Sequence, residues 1–351
     1  VEASPTTALV VRAGLASEDA RRDIYVRRHP RGTFFHLAGW RKVVERVHGH
    51  EPVDLLAWRG QELVGVLPLM LCRTLLGGRQ LVSMPYATYG GALGDDPSVE
   101  RALVAEAQRI GAELGVGYLE LRYLADPGLE LVPNTLYCTF LRDLPDDPAQ
   151  VLARMPKKSR AEARKARDKH GLELSQGHWY VDDLARMFLL NKHALGSPGL
   201  PLAHFHALLA EYERGVFVHL VRQGQKPLAA VMSFAFGDTL TAYYAGTEPG
   251  ADRAVSASNF MYLALQEWAV ERGYKRFDFC RSRVDSGAFE FKRHQGFEPT
   301  PLNYRYHLVR RTSVPSFTPS NPRTKLLRQL WAKMPIWLAR RLSDQLASYL
   351  P

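Results

Sequence analysis

Cysteine is scarce in this sequence. Cys72, Cys138 and Cys280 lie far apart in apolar, strand-like runs and form no CxxC pair. An odd number of widely spaced cysteines argues against a disulfide framework and against a zinc site. We therefore expect three buried thiols and no metal. Cys280 alone lies beside polar residues at a strand end, where a nucleophile could stand.

Long apolar runs are absent as well. Hydrophobic residues make up 46% of the 351, yet no stretch approaches the roughly 18 uninterrupted apolar residues that a membrane-spanning helix needs. Residues 1–15 show neither a basic leader with an apolar block nor a small-residue cleavage site. These features predict a soluble protein, and we expect it in the cytoplasm.

Acidic residues are too few to balance the basic ones. The 46 Lys and Arg exceed the 36 Asp and Glu, which gives a formal net charge of +10. The excess is concentrated at Lys157–Lys169 and at Arg323–Arg341. Such a distribution predicts an anionic partner, such as a phosphate, a nucleic acid or a lipid surface.

Two distant segments of the chain closely resemble each other. In residues 112–122 and again in residues 270–280, a helical pattern ends at a glycine and an alternating strand follows. A carboxylate, Glu120 or Asp278, stands at the same place in each strand. The sequence therefore contains one structural unit twice.

The likeness continues upstream of these segments. Residues 56–69 and 220–233 each read as a strand, a tight turn at a glycine and a second apolar strand, which is the pattern of a β-hairpin. A further strand follows each hairpin, at 79–84 and at 239–246. Each copy thus runs helix, hairpin, strand, loop, helix, strand.

This order predicts an α/β fold with mixed sheets. A helix between neighbouring strands requires a parallel crossover, which places helices on the faces of the sheet. The Leu-Pro-Asp-Asp-Pro interruption near residue 145 marks the boundary between the copies. We predict a first domain at 1–145, a second at 146–314 and a helical tail at 315–351.

The order of elements is that of the GNAT acyltransferase fold, and two such lobes in tandem resemble the FemAB family. Within that family the sequence is most similar to the FemAB-related proteins of exosortase and exopolysaccharide gene clusters. Short stretches carry the resemblance, which extends from about residue 30 to the C-terminus. They are residues 33–40, 84–91, 156–167, 277–282 and 289–297.

The resemblance implies a transferase that moves an aminoacyl or acyl group onto an amine. The implied acceptor is a phosphate-linked, and in part lipid-linked, precursor of the cell envelope or of an exopolysaccharide. The implied donor is aminoacyl-tRNA, with no tightly bound cofactor. The sequence departs from better-known members in lacking a long helical arm for tRNA, so acyl-CoA or an acyl-carrier protein stays open as the donor.

Binding of coenzyme A by a GNAT domain requires a particular loop. A GNAT domain holds the pyrophosphate on backbone N–H groups of a basic, glycine-rich turn that opens the central helix. The corresponding loops here are residues 90–97, which are glycine-rich but acidic, and residues 250–258, which contain one glycine and an Asp. Neither loop favours classical acetyl-CoA use.

The candidate catalytic residues lie in the second copy. Acyl transfer to an amine needs a route for a proton and stabilisation of an oxyanion. Lys292 aligns with a lysine that FemAB-like enzymes use near the reacting carbonyl. Asp278 is either paired, with Arg281 or Arg276, or perturbed to act as a base. Arg281 and Ser282, at the strand end, are candidate substrate contacts.

Further cations match the family's phosphate contacts. Arg160 and Arg164 recur on one side of a basic helix, and guanidinium groups bind phosphate bidentately. Arg41 and Lys42 match a region of the first lobe that supplies a phosphate-binding cation. In each case a solvated basic surface is the alternative.

Aromatic and small residues are expected to shape a cleft between the lobes. Tyr86 stands in a turn where a backbone can approach a ligand, and Tyr244 and Asn259 flank the equivalent loop of the second copy. Tyrosines on strands more often belong to the core, which is the competing interpretation.

The tail has a pattern of its own. Apolar residues recur at helical spacing after residue 325 and again after Pro335, with basic residues beside them. Such a pair of helices could lie at a membrane interface, on the inner face of the membrane, or could pack on the protein body. A non-catalytic protein that binds nucleic acid or anionic lipid is the alternative from another functional class.

Overall fold

The computed structural model describes residues 8–75, 77–314 and 322–350. Strands and helices alternate along the chain, as an α/β fold requires. The strands are β1 (Leu9–Ala13), β2 (Glu51–Pro52), β3 (Leu55–Arg59), β4 (Glu62–Leu67), β5 (Met70–Arg73), β6 (Arg79–Val82), β7 (Leu93–Gly94), β8 (Tyr118–Tyr123), β9 (Val132–Asn134), β10 (Tyr137–Asp143), β11 (Leu172–Gln176), β12 (Val216–Gln223), β13 (Lys226–Phe236), β14 (Thr239–Thr247), β15 (Arg276–Asp278), β16 (Ser282–Arg283), β17 (Pro299–Pro301) and β18 (Asn303–Leu308). The helices are α1 (Asp19–Arg28), α2 (Ala38–His48), α3 (Pro97–Glu113), α4 (Ala149–Arg154), α5 (Lys157–Asp168), α6 (Val181–Ala194), α7 (Leu202–Glu211), α8 (Ala251–Val255), α9 (Ala257–Glu271), α10 (Gly287–His294), α11 (Pro322–Lys333) and α12 (Ile336–Leu346).

The chain forms two compact units whose limits differ from the predicted domains. Unit 1 consists mainly of residues 1–135 and 302–315, and unit 2 of residues 136–301 and 316–347. The difference from the predicted boundary at 145 has a simple cause. β10 pairs with β15, β16 and β17 of unit 2, whereas β18 pairs with β8 and β9 of unit 1. The two copies of the repeat therefore exchange their last strands.

Unit 1 contains two sheets, with strand orders β1-β3-β4-β7 and β2-β5-β6-β8-β18-β9. β4, the second strand of the hairpin, ends just before Pro68, because proline has no N–H with which to pair in a sheet. Beyond it the amide of Leu69 donates to the buried Asp54 carboxylate at 3.1 Å, and the chain enters the second sheet as β5. The β6–β8 pair is parallel and is joined through α3.

Unit 2 contains one sheet of order β11-β12-β13-β14-β15-β10-β16, with β17 on β10. The parallel β14–β15 pair, joined through α8 and α9, extends only over Thr239–Thr241 of β14. β14 then continues to Thr247 without β15 beside it. The segment after Asp278 instead follows β10, and the amide of Phe279 donates to the carbonyl of Phe140 at 2.9 Å. The carboxyl end of β15 therefore borders β10 rather than β14.

The repeat is visible in local geometry. Gly60 and Gly224 both have positive φ angles, 59° and 57°, in the tight turns of the predicted hairpins. The ladder shifts by one residue on the strand after each turn, at Val64 opposite β3 and at Leu228 opposite β12. Each bulge leaves one extra residue unpaired in the ladder. The structure thus confirms the repeated hairpins, and the α/β fold with them.

Each unit has its own core. In unit 1 apolar residues of β6, β8 and α3, such as Leu81, Leu119 and Leu103, are fully buried together. In unit 2 Phe277, Phe279 and other aromatic residues from β15, β10 and α10 pack against α9. Burial of each such side chain stabilises the fold by roughly 1.5–3 kcal/mol. The three cysteines are buried free thiols, as predicted.

The predicted helical tail is present as α11 and α12, and residues 315–321 of that prediction lie outside the described residues. α12 packs on the body of unit 2 with Ala339 and Ser343 buried, and the Ser343 hydroxyl accepts a hydrogen bond from the amide of Gly199 at 3.0 Å. Among the described residues, no helix combines the length and the apolar character that crossing a membrane requires.

Candidate active site

Lys292 reaches the carboxyl end of β15 from α10. Its Nζ donates to the carbonyl oxygens of Phe279 at 2.6 Å and Cys280 at 2.9 Å, and it lies 3.4 Å from that of Arg281. The carbonyls face one point because Cys280 has a φ of +58°, which an L-residue seldom adopts. A single ammonium group therefore holds a sharp turn at the strand end.

Asp278 stabilises the same turn from the strand side. Its carboxylate, 2% exposed, accepts hydrogen bonds from the amide of Cys280 at 2.7 Å and from the hydroxyl of Thr139 at 3.1 Å. Of the two arginines considered as partners from the sequence, Arg276 instead pairs with Asp143 at 3.3 Å. The contacts of Asp278 give it a positioning role for the turn that Lys292 binds.

The exchanged strand β10 completes this arrangement. Thr139 provides the hydroxyl on Asp278, and the ring of Phe140 lies 5.5 Å from the Lys292 Nζ. The ring of Phe279 lies 5.7 Å from it on another side. Burial lowers the pKa of the Lys292 ammonium to about 8, against the opposing effect of nearby Cys280, Asp278 and Cys138. Thr139 and Phe140 were not predicted from the sequence, because the predicted boundary near residue 145 leaves their strand in the first domain.

Arg281 and Lys192 add positive charge beside this turn. Arg281 lies over the ring of Tyr137, with its Cζ at 4.9 Å from the centroid. Burial lowers the pKa of Lys192, on α6, and the nearby charge of Arg281 lowers it further. Arg281 also lowers the pKa of Lys292. We call Lys192, Arg281 and Lys292 the cation cluster.

Lys192 was not among the residues predicted from the sequence. It lies on a helix some ninety residues before Arg281, in a segment without a motif. Its side chain is half-buried near the ring of Phe188, at 5.3 Å. α6 packs against β13 and β14, and the effect of Arg281 on the pKa of Lys192 shows that the two cations are near each other. A lysine at the inward edge of an amphipathic helix is the weak signal that could have indicated it.

Ser282 is buried at the start of β16, 4% exposed. Its carbonyl accepts a long contact from the Cys138 thiol at 3.7 Å, while its hydroxyl has no hydrogen-bond partner among the residues that the structure describes. The structure thus places Lys292, Asp278, Arg281 and Ser282 together, as the sequence predicted for one strand end and the segment after it.

The cations of the basic helix have other surroundings. Arg160 is half-buried and donates to the carbonyl of Ala153 at 3.2 Å, while Arg164 is exposed. The helix itself is fastened to the end of α10, because the Ser159 hydroxyl donates to the carbonyl of His294. Within the described residues, neither Arg160 nor Arg164 contacts a member of the cation cluster.

In unit 1, Arg41 is a structural cation. It is 7% exposed and binds the Asp19 carboxylate at 2.7 and 2.8 Å, with Asp54 at 3.4 Å from its Nε. Lys42 lies 3.3 Å from Asp19, and its side chain is 45% exposed. These ion pairs use Arg41 within the fold, which argues against its predicted role as a phosphate contact.

Tyr86 stands in a histidine cluster of unit 1. Its ring stacks on His48 at 4.0 Å between centroids, and its hydroxyl lies 3.0 Å from the Nε2 of His50. Burial lowers the pKa of His50 to about 4. A buried His50 with a lowered pKa and a positive φ of 58° at Tyr86 describe a tightly built turn.

Tyr244 and Asn259 have partners within unit 2. The hydroxyl of Tyr244 lies 2.9 Å from the Nε2 of the fully buried His204, and Tyr244 itself is 5% exposed. Asn259 accepts a hydrogen bond from the side chain of Gln295 at 2.6 Å. Tyr244 therefore follows the competing interpretation of a core residue, while half-buried Asn259 connects α9 to the residue after α10.

Comparisons with known proteins agree with this architecture. Residues 153–293 match the family model described as an acetyltransferase (GNAT) domain. This match lies within the second unit. A search of curated proteins finds no match to the sequence.

Solved structures extend the similarity over both units. A crystal structure of FemX has a TM-score of 0.63 at 11% identity, covering 91% of this chain and 100% of that one. A tandem GNAT protein from the clavulanic acid biosynthesis pathway has a TM-score of 0.54 at 13% identity, covering 88% and 99%. A conserved protein of unknown function from Bacteroides thetaiotaomicron has a TM-score of 0.55 at 10% identity, covering 86% and 100%. The chain has the tandem GNAT fold.

The central GNAT helices show where a coenzyme A pyrophosphate would have to bind. In unit 2 the Asp252 carboxylate accepts from the amide of Ser258 at 2.6 Å and from its hydroxyl at 2.9 Å, at the N-terminus of α9. In unit 1 Asp96 accepts from the amides of Ser98 and Val99 at 2.8 and 3.1 Å, at the N-terminus of α3. An anion of the chain thus lies at both helix N-termini, where an incoming phosphate would be repelled.

Proposed function

We propose that the protein transfers an aminoacyl or acyl group to the amine of a phosphate-linked acceptor, such as a cell-envelope or exopolysaccharide precursor. The observation that carries this proposal is the cation cluster of Lys192, Arg281 and Lys292 at the carboxyl end of β15, in a GNAT domain. Strand ends of this kind are where α/β sheets present ligands. Clustered cations suit a phosphate, which Arg binds bidentately.

Lys292 is the proposed oxyanion-stabilising group. When the acceptor amine attacks the acyl carbonyl carbon, the carbonyl oxygen becomes an oxyanion. When this intermediate collapses, the carbonyl re-forms, the bond to the donor's leaving oxygen or sulfur breaks, and the proton lost by the amine goes to that leaving group. Two N–H groups of Lys292 are held at 2.6 and 2.9 Å, but the contact to the Arg281 carbonyl is long, at 3.4 Å. Exchanging that weak contact for the oxyanion costs little and provides a charged donor where charge develops.

The proposed donor is aminoacyl-tRNA. The carboxylates of Asp96 and Asp252 at the two helix N-termini support a donor without a pyrophosphate at these positions. Acyl-CoA or an acyl-carrier protein is the alternative donor. Calorimetry with coenzyme A separates the two, because a tight and saturable complex would favour the alternative.

Peripheral contact with an anionic membrane is part of the proposal. Leu326, Leu327, Leu330 and Trp337 of the tail are 57–67% exposed, although α12 packs on unit 2 through its other face. Exposed basic residues, including Lys333 and Arg340, stand among them. Apolar side chains beside cations are the composition that binds the interface of an anionic bilayer.

Intact-mass analysis tests the transfer. The protein is mixed with candidate acyl donors and with extracts of lipid-linked and nucleotide-linked precursors, and a mass increment identifies the acyl group. Lys292→Ala should abolish the increment. Lys275→Ala is the matched control, because Lys275 is 59% exposed and pairs with Asp146. Equal activity in wild type and Lys292→Ala contradicts the proposed role, and no increment with any donor contradicts the transferase.

Vesicle sedimentation tests the membrane contact. We expect binding to vesicles that contain phosphatidylglycerol and none to phosphatidylcholine alone, with binding lost in Leu326→Ser/Leu327→Ser/Leu330→Ser. Leu15→Ser/Ile24→Ser removes leucine and isoleucine of similar exposure, 58% and 52%, from unit 1 and should change nothing. Vesicle binding that survives in the tail variant would show that another part of the protein contacts the membrane. If Lys292→Ala loses transfer but still sediments with vesicles, the reaction and the membrane contact depend on different residues.

A further inference from the structure

A small basic cavity lies in unit 1 at the C-terminal end of α3. Its volume is about 350 Å³, and its walls include Arg79, Arg310, Arg311, Gly115 and Gly117. The lining residues contain three arginines and no Asp or Glu. A cavity of this size is in the range that accepts a small organic ligand as well as an ion.

Backbone hydrogen bonds fix the turn that carries Arg310 and Arg311. The amides of residues 309, 310 and 311 all point to the carbonyl oxygen of Gly117, at 3.1, 3.2 and 3.1 Å, so the turn after β18 is fixed. The guanidinium of Arg310 lies against Gly115, where a Cβ would come within 2.3 Å of its Nη2. Arg311 lies over the ring of Tyr118 at 5.8 Å.

Glycines make room in this cavity rather than providing donors. The amide of Gly117 donates to the carbonyl of Arg79, and the amide of Gly115 donates to Ala112. The amides of Gly77 and Gly78 are used by Thr74. Recognition of a ligand is therefore left to the arginine side chains.

The charge of the cavity is uncompensated within the described residues. Nine other arginines of unit 1 form ion pairs with carboxylates, but Arg79, Arg310 and Arg311 form none there. Arg79 gives one bond to the carbonyl of Leu114 at 2.5 Å, at the end of α3. A helix C-terminus carries only about half a negative charge, which three guanidinium groups exceed.

We propose that this cavity binds the phosphate group of a small phosphorylated molecule, as a second ligand site in unit 1. The planar forks of three arginines match the oxygens of a phosphate ester or diphosphate. The anion would remove the mutual repulsion of the three cations. This site goes beyond the proposed transfer reaction, whose groups belong to unit 2.

Calorimetric titration with pyrophosphate, and with inorganic phosphate in parallel, tests the site. The full chain carries Lys192→Gln/Arg281→Gln, so that binding at the cation cluster is not measured. We expect saturable binding that weakens at least tenfold in Arg310→Gln/Arg311→Gln. Arg27→Gln/Arg28→Gln removes the same charge from an exposed adjacent pair on α1 and should leave the affinity unchanged.

Gly117→Asp provides a second, independent variant that keeps every arginine. A Cβ at residue 117 would lie 3.5 Å from the Nε of Arg311, which is ordinary contact, and the added carboxylate would take the place of the anion. Binding should be lost. Absence of saturable binding in the starting protein, equal loss in both arginine pairs, or full affinity in a folded Gly117→Asp protein would each overturn the site. These outcomes would leave the arginines as caps of α3. If Gly117→Asp does not fold, the arginine pairs decide alone.

Discussion

Glu120 of β8 and Asp278 at the end of β15 occupy equivalent places in the repeat but have different partners. Glu120 forms a buried ion pair with Arg122 of its own strand at 2.8 Å. Arg122 also donates to the carbonyls of Met84 and Ala87, at 3.1 and 2.8 Å, and so fixes a loop. Asp278 instead accepts from the neutral donors Thr139 and Cys280.

This difference supports the proposal that the reaction takes place in unit 2. In unit 1 the carboxylate and the cation neutralise each other within the strand. In unit 2 the cation next to the turn is Lys292, which comes from helix α10 and not from the strand. It contacts carbonyl oxygens, which carry no full charge. Arg281 and Lys192 then add to its field. A strand end with excess positive charge suits an anionic substrate, and a neutralised one does not.

The largest expected effect concerns the exchanged strands. The fragment 136–301 retains β10, whereas the fragment 146–301 lacks it. Without β10, β15 loses one of its two neighbours, β16 and β17 lose their partner, and the fully buried Phe140 is removed from the core. Domains are stable by only roughly 5–15 kcal/mol, so the loss of a central strand with its buried side chains should leave 146–301 unfolded.

Circular dichroism and thermal unfolding of both fragments check this expectation. The longer fragment should show a cooperative transition and the shorter one none. If both fragments unfold cooperatively at the same temperature, β10 is not part of the sheet of unit 2.

Substitution of the two strand-end cations should have opposite consequences. Arg122→Ala leaves the buried Glu120 carboxylate without its partner and should lower the free energy of unfolding by about 3–5 kcal/mol. Lys292→Ala should lower the transfer rate at least ~100-fold, as loss of an oxyanion donor does, with a smaller effect on stability. Urea unfolding and the mass assay measure the two quantities. A reversed pattern would make Lys292 the structural cation.

The pH dependence of transfer sharpens the role of Lys292. With a pKa of about 8, Lys292 is protonated at pH 7 and mostly neutral at pH 9. Because the proposed role needs the ammonium form, the rate should fall as pH rises through about 8, by about tenfold per unit above it. Lys292→Arg keeps its charge to higher pH and should remove this fall from whatever activity it retains. A rate that rises through pH 8 would indicate a base instead.

The smallest effects are expected at the two helix N-termini, where the units are alike. Asp96→Ala and Asp252→Ala each remove a side-chain cap and should lower the melting temperature by about 2–4 °C. Calorimetry with coenzyme A then compares the affinities of the two variants for this ligand. Tight binding in Asp252→Ala alone would show that the second GNAT helix is a phosphate site blocked only by its own aspartate.

Much of the fold could be predicted from the sequence because the repeat is expressed in local patterns. Alternation, turn glycines and helix-ending glycines are set by neighbouring residues, and Gly115 and Gly273 both adopt the positive φ that such ends require. The gathering of Asp278, Arg281, Ser282 and Lys292 was predictable for the same reason. They lie within fifteen residues of one strand end.

Other features depend on contacts that no local pattern records. β10 and β18 could each have joined the sheet of its own copy, since β9 and β10 are separated by only two residues. Arg41 resembles an exposed phosphate contact until Asp19 and Asp54, distant in sequence, close around it. Lys192 becomes part of the cation cluster only through the packing of α6.

The exchange of strands has a consequence for synthesis on the ribosome. The sheet of unit 1 needs β18, which leaves the ribosome only after the whole segment 136–301 has been made. At about 5–20 residues per second this takes on the order of ten seconds or more. During that time β8 and β9 present unpaired edges in a nascent chain, which are the places where chains aggregate. Unit 2, whose β10 is translated ahead of its other strands, avoids this delay.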